Sequence, residues 1–441
     1  MASARRIARR LLAAIAAAPA TAALAETATP APKIDGGDTA WMIAATALVL
    51  LMSIPGLACF YSGMVRKKTV LATMAQTVAA VALGSIVWMA IAYSLAFTGE
   101  GAWIGTFDRI FLAGMGINTV HPAAKTIPES IFMIYQMTFA VITVALVAGA
   151  VADRMRFSAF LWFVLLWTIF VYAPIAHWVW GGGWLTPDAA AKKDGILDFA
   201  GGTVVHLNAG IAGLVAAYVL GARIGYGTEN LAPYNLALGV IGMSLLWVGW
   251  FGFNGGSALG AGPRAGYAIV ATHLAASAGV LTWMFLEWMD RGKPSVLGMI
   301  SGAIAGLGTI TPCSGFVLPW HGVVIGIVAG AICYWGCIKL KQKVGYDDSL
   351  DVFGVHGIGG AAGTLLCGVF AVAAVGDTAG LLEGNAGQLL WQIYGVVATL
   401  VWSGVITFVL LKIINLFASL RVREEEERTG LDLALHGEQL Q

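Results

Sequence analysis

Two histidines stand in apolar stretches with matching neighbours. His206 begins His-Leu-Asn-Ala-Gly-Ile-Ala-Gly and His356 begins His-Gly-Ile-Gly-Gly-Ala-Ala-Gly, so both fit His-x3-Gly-x-Ala-Gly. Ionisable side chains inside apolar segments are costly and tend to line a pathway. An imidazole donates at one nitrogen and accepts at the other. Two facing imidazoles therefore share a proton and make a hydrogen-bond track for a small polar molecule. The competing role, a bond to a backbone carbonyl in a packed bundle, suits a single histidine better than a matched pair. Asp198 precedes His206 by eight residues and Asp351 precedes His356 by five, each at the start of its apolar stretch. There a carboxylate serves as a helix cap or shapes the site. His177, His273, His321 and His436 have no matching partner and are expected to be structural or solvated.

Aromatic residues form the second candidate group. Trp178 and Trp180 close one apolar run, and Gly249-Trp250-Phe251-Gly252-Phe253-Asn254-Gly255-Gly256-Ser257 closes another. An interfacial belt uses such residues, and Trp178 suits one. Glycines between rings suggest ring faces presented to a passage, and ring faces attract cations. The Ser257 hydroxyl accepts a hydrogen bond from such a cation. Phe139 lies beside Gln136 and Thr138 in a third run.

The elements that must position these groups are membrane helices. Of 441 residues, 59% are hydrophobic and 11% charged, where soluble domains carry about 25% charged residues. The 25 Lys and Arg nearly cancel the 24 Asp and Glu, so nucleic acid is not an expected partner. The five cysteines form no Cys-x-x-Cys pair and sit mostly in apolar runs, so neither a disulfide framework nor a metal site is expected. No nucleophile–base set stands out, and an enzyme is not expected.

Apolar runs centre near residues 52, 83, 141, 168, 211, 244, 278, 304, 329, 365 and 404, which predicts an all-α polytopic membrane protein with eleven transmembrane helices. Arg5, Arg6, Arg9 and Arg10, the apolar run 11–18 and Ala23-Leu24-Ala25 read as a cleavable signal peptide over 1–25. Residues 26–39 then form an extracytoplasmic segment, 40–418 the eleven-span domain and 419–441 a cytoplasmic tail. With the N-terminus outside, the C-terminus falls inside. Loops on the inner side then hold eleven Lys and Arg against five on the outer side, as positive-inside loops should. The histidine motifs fall on the fifth and tenth spans. Five is odd, so a five-plus-five repeat must be inverted, with the pathway at the repeat interface.

Several stretches carry a family resemblance. Asp198-Phe-Ala-Gly-Gly-Thr-Val-Val-His206, Asp351-Val-Phe-Gly-Val-His356-Gly, Gly249–Asn254, Asp153–Ala159 and Pro174–Gly183 resemble the ammonium transporter family (Amt/MEP, related to Rh proteins). The resemblance runs in order from about residue 40 to the tail and is nearest the bacterial Amt type with a signal peptide. It implies a homotrimer in the cytoplasmic (inner) membrane with one pore per subunit and no cofactor. It implies an outer ammonium site at Phe139, Trp180 and Ser257, a gate of Phe139 and Phe253, and twin pore histidines His206 and His356. Asp198 and Trp250 join the pore and proton relay. Trp180 and Ser257 favour the Amt branch over an electroneutral Rh-like ammonia or carbon dioxide channel. A sensor of this fold commonly adds a soluble signalling domain, and the short tail leaves no room for one.

Ammonium resembles potassium in size and charge but has a removable proton. Desolvation favours the neutral amine, so an apolar pore favours splitting ammonium, with ammonia crossing and the proton following by the histidines. Net transport is then electrogenic. The charged run Arg421–Arg428 reads as a solvated face. By resemblance, the tail also couples subunits and meets a PII-type signalling protein, with the basic loops 66–68 and 339–343 joining that surface. The loop from Gly181 to Asp198 is longer than in close bacterial members, which is expected to affect access.

Overall fold

A bilayer offers no water to backbone N–H and C=O groups, and a helix satisfies them within one segment. In the computed structural model, which describes residues 33–187 and 194–440, the chain is built of helices and turns, with no strand among the described residues. The expected signal peptide, most of the segment before the first helix and the middle of the Gly181–Asp198 loop lie outside the described residues.

The spans are α1 (Gly36–Met64), α2 (Lys67–Phe97), α3 (Glu129–Val151), α4 (Phe157–Trp180), α5 (Gly202–Leu220), α6 (Leu236–Gly256), α7 (Pro263–Arg291), α8 (Val296–Ile310), α9 (His321–Val344), α10 (Phe353–Phe370) and α11 (Ala386–Asn415). Ten are long and apolar enough to cross a membrane. The other, α8, has 15 residues, about 22 Å at 1.5 Å per residue against a hydrocarbon core of about 30 Å. Turns over residues 311–316 carry the chain onward from its end. The protein is therefore an all-α, multi-pass membrane protein.

Helix starts follow local chemistry. Asn235, Ser295 and Asn385 each accept a hydrogen bond from a first-turn N–H of α6, α8 and α11. α5 and α10 both begin with a wide π-helical turn, over Gly202–Leu207 and Phe353–Gly357, and each turn holds one of the paired histidines. Such turns recur at functional sites.

The repeat is visible as a reciprocal contact. Gly210, four residues after His206, has no room for a Cβ because the backbone of Gly357 lies against it. Gly360, four residues after His356, is closed off by the backbone of Gly202 and Leu207. Each helix thus meets the residue that follows the other's histidine. Only glycine permits that approach, as small residues do between membrane helices generally.

Several charged loop residues are tied together by ion pairs. Arg66 and Arg223 both pair with Asp153, and Arg223 also pairs with Asp347 at 2.8 Å. Thr69 donates to the other oxygen of Asp153. Burial works to raise the Asp347 pKa, but the bonds and charge of Arg223 outweigh it and hold the carboxyl below its usual range. Arg154 is fully buried, donates to Ser349 Oγ and to the Asp347 carbonyl, and is pushed down to about 10 by desolvation.

The tail docks on this same end. Its helix α12 (Glu424–Thr429) places buried Glu427 where it accepts from the Ile224 N–H and pairs with Arg421. Asp432 accepts from the N–H groups of Leu71 and Ala72, capping α2, and Lys68 donates to the Arg428 carbonyl. The charged run is therefore divided: Arg423, Glu424 and Glu425 are exposed, while Glu427 anchors the segment. Of the two basic loops, 66–68 touches the tail, whereas Lys339 and Lys341 pair with Asp290 and Asp351.

Candidate functional site

Extended and turn residues 194–201 lead into α5. Gly201, at φ 112°, supplies the left-handed turn that starts the helix. Asp198 fixes that start. Its carboxylate accepts from the N–H groups of Gly201, Gly202, Thr203 and Val204 and from the Thr203 hydroxyl. Its matched counterpart at α10 is Asp348, also eight residues before its histidine, which accepts from the Phe353 N–H at 2.7 Å. Asp351 instead sits at φ 58° and pairs with Lys341 at 2.7 Å. Asp351 opens α10 in sequence, but the residue that matches Asp198 in place and bonding is Asp348. The turn between Asp348 and Phe353 places the earlier carboxylate at the helix start.

These starts bring the histidines together. The rings of His206 and His356 stack with centroids 5.2 Å apart, and their Nδ1 atoms are 3.1 Å apart. Two Nδ1 atoms at that distance hold one proton between them. In a neutral pair, the ring with Nδ1–H presents a bare Nε2 and the other presents Nε2–H. The pair therefore offers one acceptor and one donor, and these roles exchange when a proton enters the bare Nε2, the shared proton crosses the Nδ1 contact and one leaves the other ring's Nε2–H. His206 Nε2 is buried with no protein partner.

Aromatic rings continue the file. His206 stacks on Trp250 at 5.4 Å, and Trp250 lies 5.7 Å from Phe253. The Trp250 indole N–H donates to Thr311 Oγ1, which fixes its ring. Phe253 stacks on Phe139 at 4.2 Å, leaving no gap between the rings. Phe139 meets Trp180 edge-on at 5.7 Å, and Trp180 donates to the Asp198 carbonyl.

Cavities lie in sequence along this file. The first, of 270 Å³, includes Phe139, Trp180 and Ser257 in its wall. The second is apolar, holds only 10 Å³, and lies among Phe253, Trp250, His206 and His356. The third, of 170 Å³, runs from His356 to Asp351. A water needs about 10–15 Å³, so the middle section is close to dry and the cavities on either side can hold solvent.

Ser257 donates to the Phe253 carbonyl at 2.8 Å, which leaves its oxygen as an acceptor in the wall of the first cavity. Tyr135 steadies that turn through the Gly252 and Phe253 carbonyls. Gln136 lines the same cavity, and its side-chain oxygen is buried without a partner. The sequence placed it beside Phe139 without a role; its helical neighbourhood was the only signal. The structure thus brings Phe139, Trp180, Ser257, Phe253, Trp250, His206 and His356 into one file, with Asp198 at its wall.

The other histidines stand apart. His177 bonds the carbonyls of Ala96 and Gly101, His273 packs on Trp247, His321 on Trp320, and His436 on Phe157. His121, which drew no notice in the sequence, stacks on Phe132 and bonds the Phe97 carbonyl. Desolvation lowers its pKa.

Residues 40–440 match the model of the Ammonium Transporter Family. This chain belongs to that family. An ammonium transporter of Bacillus subtilis is 49% identical over 91% of this chain and 98% of its own length. One from Aquifex aeolicus is 47% identical over 92% and 93%. The crystal structure of Saccharomyces cerevisiae Mep2 is similar with a TM-score of 0.80 and 37% identity, covering 89% of each chain. A sensor Amt protein is similar at TM-score 0.83 and 28% identity, covering 91% of this chain and 98% of its own. The protein is an ammonium transporter.

Proposed function

We propose that ammonium is recruited where Trp180, Phe139 and Ser257 meet, gives up a proton before the Phe139–Phe253 stack, and crosses as ammonia past His206 and His356. The observation that carries this reading is the 10 Å³ apolar gap beside the histidines. A hydrated cation does not fit there, and a bare one loses its solvation. Ammonia is neutral and small. Potassium has no proton to shed, so the same gap rejects it.

Recruitment uses ring faces of Trp180 and Phe139 with the acceptor oxygen of Ser257 and the open oxygen of Gln136. The proton passes to solvent in the 270 Å³ cavity and on to the histidine pair, where one proton enters the bare Nε2, one crosses the Nδ1–Nδ1 contact and one leaves the other ring's Nε2–H, so transport carries charge. Asp198 acts as a positioning residue. Its carboxylate is committed to the start of α5, which holds His206 in register.

The Trp180 end faces outward and the tail faces the cytoplasm, a placement supported by the eleven-to-five excess of Lys and Arg in the loops at the tail end. The protein works as a homotrimer in the cytoplasmic membrane, and the docked tail with loop 66–68 is the surface for a PII-type regulator. Trp180 and Ser257 favour this reading over a neutral gas channel.

Trp180→Leu and Ser257→Ala test the recruitment site. Removing a cation–ring contact of about 0.5–2 kcal/mol raises the half-saturating ammonium concentration roughly 2–30-fold. Unchanged saturation in both variants contradicts the site.

A further inference from the structure

The recruitment cavity contains a cation of its own. Among its described lining residues, Asp198 and Arg264 carry charge. The Asp198 carboxylate is taken up by four N–H groups and a hydroxyl at the start of α5, where the helix end adds about half a positive charge. Arg264 has no such compensation at close range: no ion pair includes it among the described residues. It is nevertheless held. Nε donates to the Gly315 carbonyl at 2.7 Å, and the guanidinium lies 5.1 Å from the Phe199 ring and 4.8 Å from the Phe316 ring. Phe199 and Phe316 themselves meet edge-on at 5.7 Å. The guanidinium therefore fills a second aromatic clamp in the wall that also holds Trp180 and Phe139.

We propose that Arg264 is a specificity-determining residue: a tethered cation that occupies the Phe199–Phe316 clamp, limits the cavity to one further monovalent cation and excludes divalent cations. The inference rests on the recruitment site proposed above. A sphere of 270 Å³ is about 8 Å across, comparable with the Debye length of about 8 Å at physiological salt, so screening does not hide the guanidinium from a bound ion. At about 8 Å and an effective dielectric of about 40, a fixed unit charge weakens monovalent binding roughly sixfold and divalent binding roughly thirtyfold. Ring faces alone attract any cation. The fixed charge makes the residual attraction too small for a second ion or a dication, while ammonium retains its N–H bonds to Ser257 and Gln136. Asp377, in the loop after α10, is an acidic group whose charge favours the guanidinium.

The test compares wild type, Arg264→Gln, Arg264→Lys and Phe316→Leu in proteoliposomes, with Trp180→Leu as the site control. Ammonium-driven charge movement is measured against ammonium concentration, alone and with magnesium, calcium or potassium added outside. The expected result for Arg264→Gln is a half-saturating concentration several-fold lower than wild type, with new inhibition by magnesium and calcium. Arg264→Lys keeps the wild-type pattern. Should Arg264→Gln not assemble, Phe316→Leu removes one ring of the clamp, frees the guanidinium to turn from the cavity toward Asp377 and so weakens its charge there, and is expected to show divalent inhibition in the same direction but smaller. Wild-type saturation and competition in an assembled Arg264→Gln or, failing that, in Phe316→Leu overturn the inference. If Trp180→Leu shifts saturation in the same series, the recruitment site stands without it. If neither position matters, the site reading fails as well.

Discussion

The Nδ1 atoms of His206 and His356 face each other at 3.1 Å, with the two rings 11° from parallel. This places a single shared proton at the junction of the two inverted halves. His206→Ala removes one end of that contact and leaves the other imidazole without its partner. Ammonium-driven charge movement is expected to fall at least tenfold while the protein still assembles. Currents equal to wild type, with potassium still excluded, contradict a role for the pair.

Phe139 and Phe253 stack at 4.2 Å and close the file between the first two cavities. Phe253→Ala opens that point into the dry section. It is expected to admit water and reduce the preference for ammonium over potassium. It also costs about 3–5 kcal/mol of stability, as truncating a buried Phe does. Ion-substitution currents and a thermal melt in detergent check both effects.

Gly210 and Gly357 touch through their backbones. Gly210→Ala has no space for its methyl group, so α5 and α10 must separate and the histidine contact lengthens. Transport is expected to drop strongly, and the melting temperature to fall by several degrees. A fully active Gly210→Ala variant contradicts the claim that this approach sets the histidine geometry.

Asp348 is wholly buried with one carboxylate oxygen unpartnered, and desolvation pushes its pKa up to about 6. Lys341 opposes that rise, while Asp351 adds to it. A carboxyl raised above its unfolded value binds more protons in the folded state, so stability falls as pH climbs from about 4 to about 6 and then levels. The stability of Asp348→Asn relative to wild type is expected to improve across that window. Melting curves at pH 4, 5, 6 and 7 test this, and a pH-independent difference contradicts it.

Asp432 caps α2 from the tail, and Glu427 holds the α5–α6 loop. Asp432→Asn combined with Glu427→Gln is expected to release the tail, making residues 421–440 cut several-fold faster by protease while the spans stay intact. Equal cleavage rates contradict docking through these two carboxylates.

Much of this was legible in the residues. Apolar runs located the helices, and the matched histidine motifs located the two that cross at the pathway. Phe139, Trp180 and Ser257 stood out by type, though only packing brings α3, α4 and the end of α6 to one cavity. Three features were hidden. α8 is short because turns replace its last part, and hydropathy does not register that. Asp351 masked Asp348 because a φ of 58° reverses the chain between them and the helix. Gln136 and Arg264 gain meaning only from what surrounds them: an unmet oxygen and a pair of rings.

The central claim is that ammonium is split and its proton travels with the ammonia. The most direct measurement is charge movement and internal pH together in proteoliposomes after an ammonium jump, with a potassium jump as control. The account predicts a transient that is specific to ammonium, scales with protein density and carries about one charge per ammonia delivered. Ammonia entry without charge movement, or an equal transient with potassium, would contradict it.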